Sequence, residues 1–453
     1  MNKSKLGEDK AGFTAPTQAD IEVLDLLTIG FGPAGVSMAV ALEEKGWISS
    51  DTPAGDAPNH RILFLEGAAC CGWHEQLMFD DAQINHHHFF DLATPVNPRS
   101  RFTFANYLHT KGRLFDFGLT KAPPSRPEWN DYIRWVGHHF SQHVKFDHKV
   151  AQLLPCFDSS GRLIFVRVIC ENGAEFLTKQ LILSNGSVPR LPDVFANTLP
   201  NRVFHASKYQ REISRNRDAG FQGNIAVVGG GMSGGEIVHD LYTRFPKCTV
   251  VSIHRGQGFQ LADLSAFSST LYNPQQVDYF YRLPQTSKDR LLSKITSSNY
   301  GGLTDAWVQK IFNLIYLENI KGSGRLKLLP FAEIQKVRET GDQVTLEGTE
   351  TYTGQLFELA VDCVVLATGY DTDPLAGLLG DLRDLISCDD AGRPIVTRDY
   401  AVNTGNNSDI SVYLSGLCEF SHGISDSHSF NMLATRSRMI LENISENLAR
   451  ASI

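Results

Sequence analysis

The sequence predicts an α/β protein of two Rossmann-like dinucleotide-binding domains, the second inserted in the first, with a small, mostly helical substrate region. Three observations carry that prediction. Gly30, Gly32 and Gly35 stand at GxGxxG spacing between an apolar strand and a helix. Gly229, Gly231 and Gly234 repeat the arrangement in mid-chain, within GGGMSGG. Apolar strands over Val361 to Tyr370 and Ser411 to Gly416 then follow, as expected of a chain returning to its first sheet. The expected division is a flexible arm over 1–20, a first domain over 21–200, a second over 201–355 that contains the helical region 263–320, and a return segment over 356–453.

The first fingerprint lies in Asp25 to Gly46. Leu26, Leu27 and Ile29 form a buried strand, and the pattern from Val36 to Leu42 is helical. The first glycine permits the tight turn, the second lets backbone approach a pyrophosphate, and the third lets helix pack on strand. The helix N-terminus offers unpaired amides and the positive end of its dipole to the phosphates. The next strand, Arg61 to Glu66, ends on an acid able to accept the ribose hydroxyls of an adenine dinucleotide, after a polar insert from Trp47 to His60. From there to about Pro127 the chain lacks clear periodicity and is rich in His, Asn and aromatics, a composition suited to a functional loop. Glu128 to His143 has the pattern of an amphipathic helix. Strands near Lys145 to Leu154, Leu163 to Cys170 and Leu181 to Ser184 suggest a small meander.

At the second fingerprint, Ile225 to Val228 is the strand, and Glu236 to Leu241 begins the helix after the glycine turn. The following strand, Thr249 to Ile253, ends on His254 and Arg255 where an NAD site would carry an acid. Arg255 can pair with a 2′-phosphate, so NADPH is expected over NADH; the plain alternative is a solvated loop arginine. A helix over Asp305 to Leu317, strands near Leu326 to Leu329 and Gln343 to Leu346, and a final helix near Met432 to Leu448 complete the pattern.

Composition narrows the class. In 453 residues, 42% are hydrophobic, enough for more than one core. A formal charge of -8 argues against nucleic acid or an anionic membrane as partner. No apolar run is long enough to span a bilayer and the polar N-terminus lacks a secretory pattern, so a cytoplasmic location is expected. The eight cysteines include no C-x-x-C, which disfavours a flavin-dependent disulfide reductase.

More specific stretches are Asp91-Leu-Ala-Thr94, Asn97-Pro-Arg-Ser100, Phe104-x-Asn-Tyr-Leu108, Lys111-Gly-Arg113, Tyr272-Asn-Pro274, Ser298-Asn-Tyr300, Ala367-Thr-Gly-Tyr370 and His422-Gly-Ile-Ser-Asp426. Together they resemble the microbial flavin-dependent N-hydroxylating monooxygenases, over roughly residues 23 to 445. The resemblance implies FAD and NADPH as cofactors, a small primary amine and O2 as substrates, and a homo-oligomer, dimer or tetramer. It implies N-hydroxylation through a C4a-hydroperoxyflavin for siderophore or hydroxamate biosynthesis, with no catalytic side chain or metal required because the cofactor carries the chemistry. Residues implied at the FAD are Gly30, Gly32, Pro33, Gly35, Glu66, Trp73, His74, Gln83, Ala367, Thr368, Gly369 and Ser425. Those implied at NADP are Gly229, Gly231, Met232, Ser233, Gly234, Arg255, Asn299, Tyr300 and Tyr370. Asn85 is an alternative to Gln83, and core packing is an alternative role for Trp73. The segment His205 to Tyr209 is similar to the family's H-x-x-x-Y linker and lacks the W-P ending of carbonyl-oxygenating relatives.

One departure bears on the substrate, whose implied contacts are Phe90, Asn273, Asn299 and His88. Amino-acid-hydroxylating members carry a lysine before Asp-Leu-Ala-Thr, where its ammonium meets the substrate carboxylate; here Phe90 stands there. A carboxylate buried without a partner is costly. The expectation is therefore an amine without an α-carboxylate, such as histamine, putrescine or cadaverine. The alternative is L-ornithine or L-lysine, with Arg101 or Lys294 reading the carboxylate. An NADPH oxidase on the same fold is the alternative of another class. His86-His87-His88 differs from the usual loop; three consecutive histidines rarely converge on one metal, and His88 is the candidate for a direct substrate role.

Overall fold

The computed structural model describes residues 21–51, 60–198, 201–218, 222–295, 301–371, 380–405, 407–426 and 429–451. Its first sheet is built on the Glu22–Ile29 strand, which pairs in parallel with Ile62–Leu65 on one side and Glu175–Leu183 on the other. Val144–Lys145 and Ser411–Leu414 extend it in parallel, and Ala401–Val402 adds an antiparallel edge. Such strands are buried on both faces and carry continuous apolar runs, as Leu26, Leu27 and Ile29 do. The helix Pro33–Glu44 buries Val36, Met38, Ala39, Val40 and Leu42, so it shows no polar face and lies inside, beside the closing helix Leu433–Ala451. The predicted meander is present: Val150–Phe157 and Leu163–Cys170 run antiparallel into Glu175–Leu183.

The second sheet is wholly parallel, in the order Leu326–Leu329, Thr249–Ile253, Asn224–Val228, Cys363–Leu366, Val203–His205. An antiparallel triplet of Ala332–Thr340, Gln343–Glu350 and Leu356–Val361 packs on it. The chain leaves the first sheet after Leu183 and re-enters it at Ala401, so the second unit is inserted in the first. The strand before Ala-Thr-Gly-Tyr belongs to the second sheet, which extends this unit to Leu366, beyond the 355/356 division expected from sequence. The reason is pairing: Cys363–Leu366 fills the place between Asn224–Val228 and Val203–His205. The region 263–320 contains the helices Ala266–Ser269, Pro274–Tyr281, Gln285–Ile295 and Asp305–Lys321.

Two helices escaped the sequence reading, Phe104–Thr110 and Leu114–Thr120, both within the stretch expected to be loop. Seven residues are too few to show a helical period. The first depends on its cap instead: Thr103 Oγ1 accepts from the Asn106 amide, and Asp91 accepts from the Phe104 amide at 2.7 Å. The next helix runs over Arg126–His138 rather than from 128 to 143. It starts earlier because Ser125 Oγ accepts from the Glu128 amide and Pro127 fits the first turn, and it gives way to a separate turn at Ser141–His143. Among the described residues no helix is long and apolar enough to cross a membrane.

Candidate active site

In the first glycine loop, the first and third glycines stand where no side chain fits. Gly30 has φ +96°, and a Cβ there would lie 2.5 Å from the Ser184 carbonyl oxygen. A Cβ on Gly35 would overlap the Gly30 carbonyl, so the helix sits directly on the turn. Gly32 precedes Pro33 in extended conformation and no side chain caps the helix, which leaves first-turn amides facing outward. Glu66 closes the cradle, its Oε2 accepting from the Phe31 amide at 2.6 Å and its Oε1 from the Ala68 amide at 2.9 Å. Ser184 and Ser425 have buried hydroxyls with no hydrogen-bond partner among the described residues. Close-approach backbone, an acid at the strand end and orphaned hydroxyls suit an adenine dinucleotide such as FAD.

Trp73 and His74 lie beside this cradle, His74 in left-handed conformation. The Trp73 amide donates to Asn130 Oδ1 at 2.7 Å and its ring meets Phe430 at 5.0 Å. His86 stacks on Phe430 at 4.9 Å and stands edge-on to Trp129 at 5.1 Å. Burial holds the His86 imidazole neutral, down to about 4. His87 and His88 stack on each other at 4.2 Å, and His88 continues onto Phe104 and Phe117. The three histidines thus enter different surroundings, and no cluster of three or more His, Cys, Asp or Glu able to hold a metal occurs among the described residues. Gln83 and Asn85 are exposed, Gln83 in a bridge with Ser125. Phe90 is half-buried, its amide donating to the His87 carbonyl. Its neighbour Asp91 is structural, holding the amides of Ala93, Thr94 and Phe104.

The second loop repeats the first in geometry. Gly229 has φ +130°, and a Cβ there would overlap the Ala367 carbonyl. Gly231 precedes the helix Met232–Arg244, so Met232 and Ser233 form its open first turn, and Gly234 packs on Gly229. His254 is turned inward: its Nε2 lies 2.7 Å from Ser252 Oγ, its ring meets Phe259 and faces Gly230, and burial lowers it to about 4. Arg255 is exposed. An outward cation beside an open helix start suits the phosphates of NADPH.

Ala367, Thr368 and Gly369 are expected at the FAD, yet Ala367 backs the second loop because its strand belongs to the second sheet. Thr368 Oγ1 donates to the Arg190 carbonyl at 2.5 Å, and Gly369 O lies 3.0 Å from His205 Nε2, with Tyr370 against that imidazole. This segment and Val188–Pro189 form the crossing between the units. Asn273 is exposed at the start of the helix Pro274–Tyr281, next to a small apolar cavity lined by Leu271, Phe280, Leu291, His422 and Ile424. Asn299 and Tyr300 lie outside the described residues. Arg101 is already held by Glu43 and Asp51, and Lys294 is exposed in the last turn of its helix, so Arg101 is not free to read a carboxylate.

Two buried ion pairs gave no sequence signal. Arg436 and Asp426 are essentially inaccessible and meet at 2.7 Å; Asp426 also accepts from the Cys418 amide, fixing the turn that holds Ser425. Arg126 and Glu236 join the two units. Each pair brings together residues remote in sequence, which no local period reveals.

A sequence profile described as L-lysine 6-monooxygenase/L-ornithine 5-monooxygenase matches residues 22–372. An L-ornithine N(5)-monooxygenase from Burkholderia cepacia is 32% identical over 409 residues, 88% of this chain and 90% of that one. An L-lysine 6-monooxygenase structure from Pseudomonas syringae is 39% identical with a TM-score of 0.82, covering 94% of this chain and 100% of that one. An ornithine N-hydroxylase from Kutzneria sp. 744, solved with reduced FAD, NADP+ and L-ornithine, is 30% identical with a TM-score of 0.85 over the same shares.

Proposed function

The chain belongs to the L-lysine 6-monooxygenase/L-ornithine 5-monooxygenase family, and from that premise we propose that it hydroxylates the side-chain amine of L-ornithine or L-lysine, supplying a hydroxylamine for siderophore assembly. It is an NADPH-dependent flavin N-monooxygenase with FAD and NADPH as cofactors. The balance is one amine, one O2, one NADPH and one proton giving one hydroxylamine, one water and one NADP+. FAD, when bound, supplies electron transfer from NADPH and activation of dioxygen.

The protein holds and shields. The cradle of Gly30, Gly32 and Gly35 with Glu66 would take the FAD, with Ser184 and Ser425 as further polar contacts. The loop from Gly229 to Gly234 with Arg255 would take NADPH. An ammonium has no free electron pair, so the reacting amine must be neutral. The aromatic group of Trp73, His86, Trp129 and Phe430 is apolar and carries no charge, which favours the free base and excludes water.

The observation that supports ornithine or lysine is similarity over nearly the whole chain to enzymes named for those substrates. A second reading, a carboxylate-free amine such as histamine, putrescine or cadaverine, is favoured by Phe90 and by the engagement of Arg101 with acids. The test is hydroxylamine formation, NADPH oxidation and peroxide release with ornithine, lysine, histamine, putrescine and cadaverine. Coupled product with ornithine or lysine is expected. Coupled product with decarboxylated amines alone would favour the second reading, and peroxide without hydroxylamine from any of them would overturn both in favour of an oxidase.

A further inference from the structure

The helix Met232–Arg244 begins at the second glycine loop and carries Glu236 on its second turn, with a side chain 1% exposed. Its carboxylate accepts two hydrogen bonds from Arg126, Nη2 to Oε1 at 2.7 Å and Nη1 to Oε2 at 3.0 Å. Arg126 opens the helix Arg126–His138 of the first unit. Its Nη1 also donates to the Leu77 carbonyl at 2.6 Å, and its backbone amide donates to the Ala82 carbonyl at 2.7 Å. The next residue, Gln83, bridges to Ser125. One guanidinium therefore ties the nucleotide-loop helix to the segment bearing a residue expected at the flavin.

The surroundings strengthen the tie. Leu77, Phe79 and Ala82, covalently part of the first unit, share a core with Ile237, Val238 and Leu241 of the second. One turn beyond Glu236, His239 lies 3.7 Å from Asp81, which also pairs with Lys310. Replacing a buried ion pair by apolar side chains is often neutral for stability. What a bidentate pair adds is fixed orientation. We propose that Arg126 and Glu236 are positioning residues for hydride delivery, holding the FAD and NADPH sites in one register. The proposal rests on the assignment of those cofactors to the two loops.

Its test uses holoenzyme with Glu236→Gln, Arg126→Lys and the double variant Arg126→Met/Glu236→Met. FAD content, thermal midpoint and NADP+ affinity are measured first. NADP+ is then added to chemically reduced, anaerobic enzyme, and the long-wavelength charge-transfer absorbance of stacked nicotinamide and flavin is read, followed by the rate of flavin reduction by NADPH. The double variant removes both charges and so avoids stranding one in the core. It is expected to keep FAD and bind NADP+, yet to lose most of the absorbance, with reduction slowed on the order of 100-fold, the usual cost of about 1 Å of misplacement. Arg126→Lys, which keeps charge without the two-pronged geometry, should fall between. A double variant with wild-type absorbance and rate would reduce the pair to packing and overturn the proposal. If NADPH fails to reduce the flavin of the wild-type enzyme, the cofactor assignment itself is wrong and the proposal falls with it.

Discussion

The two glycine loops share a backbone and differ in what stands behind it. In each, the first glycine is left-handed and pressed against a carbonyl from a neighbouring strand, Ser184 in one and Ala367 in the other. Behind the first loop Glu66 already binds the amides of Phe31 and Ala68; behind the second, His254 folds inward and leaves Arg255 at the surface. Sterics dictate the turn, so it recurs almost unchanged. In the proposed assignment, the residue following the next strand selects the ligand, an acid for ribose hydroxyls in one case and a cation for a phosphate in the other.

The largest effect should come from breaking the shared feature. Gly30→Ala forces a left-handed φ on a residue with a Cβ and drives it into the Ser184 carbonyl. Conformational strain and overpacking each cost about 1–3 kcal/mol. The variant should lose FAD and several kcal/mol of stability in urea titration; a yellow protein of normal stability would show that the cradle is looser than described.

Acid should weaken both units through buried neutral imidazoles. Burial lowers His86 and His254 to about 4 and His422 to about 3. Unfolded, each takes up a proton near pH 6.5. Stability from this source is complete above about pH 6.5 and falls as pH drops towards 4, by up to about 1.4 kcal/mol per pH unit for each histidine. Urea midpoints measured from pH 7.5 to 4.5 should fall from about pH 6.5 onward, and less steeply in His254→Met. A flat profile down to pH 5 would mean these rings are charged or exposed.

Arg255→Ala addresses the difference between the loops. A hydrogen bond to a charged group contributes about 1.5–3 kcal/mol, so the KM for NADPH should rise roughly tenfold to a hundredfold while that for NADH barely moves. Equal changes for both would remove Arg255 from the 2′-phosphate. The smallest effect is expected at Ser125, whose hydroxyl caps the helix opened by Arg126. Ser125→Ala should cost about 1 kcal/mol in chemical denaturation without changing cofactor preference.

What the sequence made legible was local. Fingerprints, flanking strands and the long helix near Asp305 follow from spacing and periodicity, and the return of the chain to its first sheet follows from their order. The position of Ala367 behind the second loop required knowing which sheet its strand joins. The first short helix after Asp91 depends on a cap formed across a turn, and the Arg126–Glu236 and Asp426–Arg436 pairs depend on tertiary packing. None of these leaves a periodic trace. Phe90 was visible as a departure from the family pattern, but its meaning depends on the substrate that occupies the site.

The most direct test of separate duties for the two loops is anaerobic reduction of Gly229→Ala holoenzyme. The added Cβ would strike the Ala367 carbonyl and close the second cradle while leaving the first untouched. The protein should purify with wild-type FAD content and bleach normally with a chemical reductant, yet NADPH should leave its flavin oxidised. Reduction by NADPH at the wild-type rate, or loss of FAD with NADPH binding intact, would contradict the assignment.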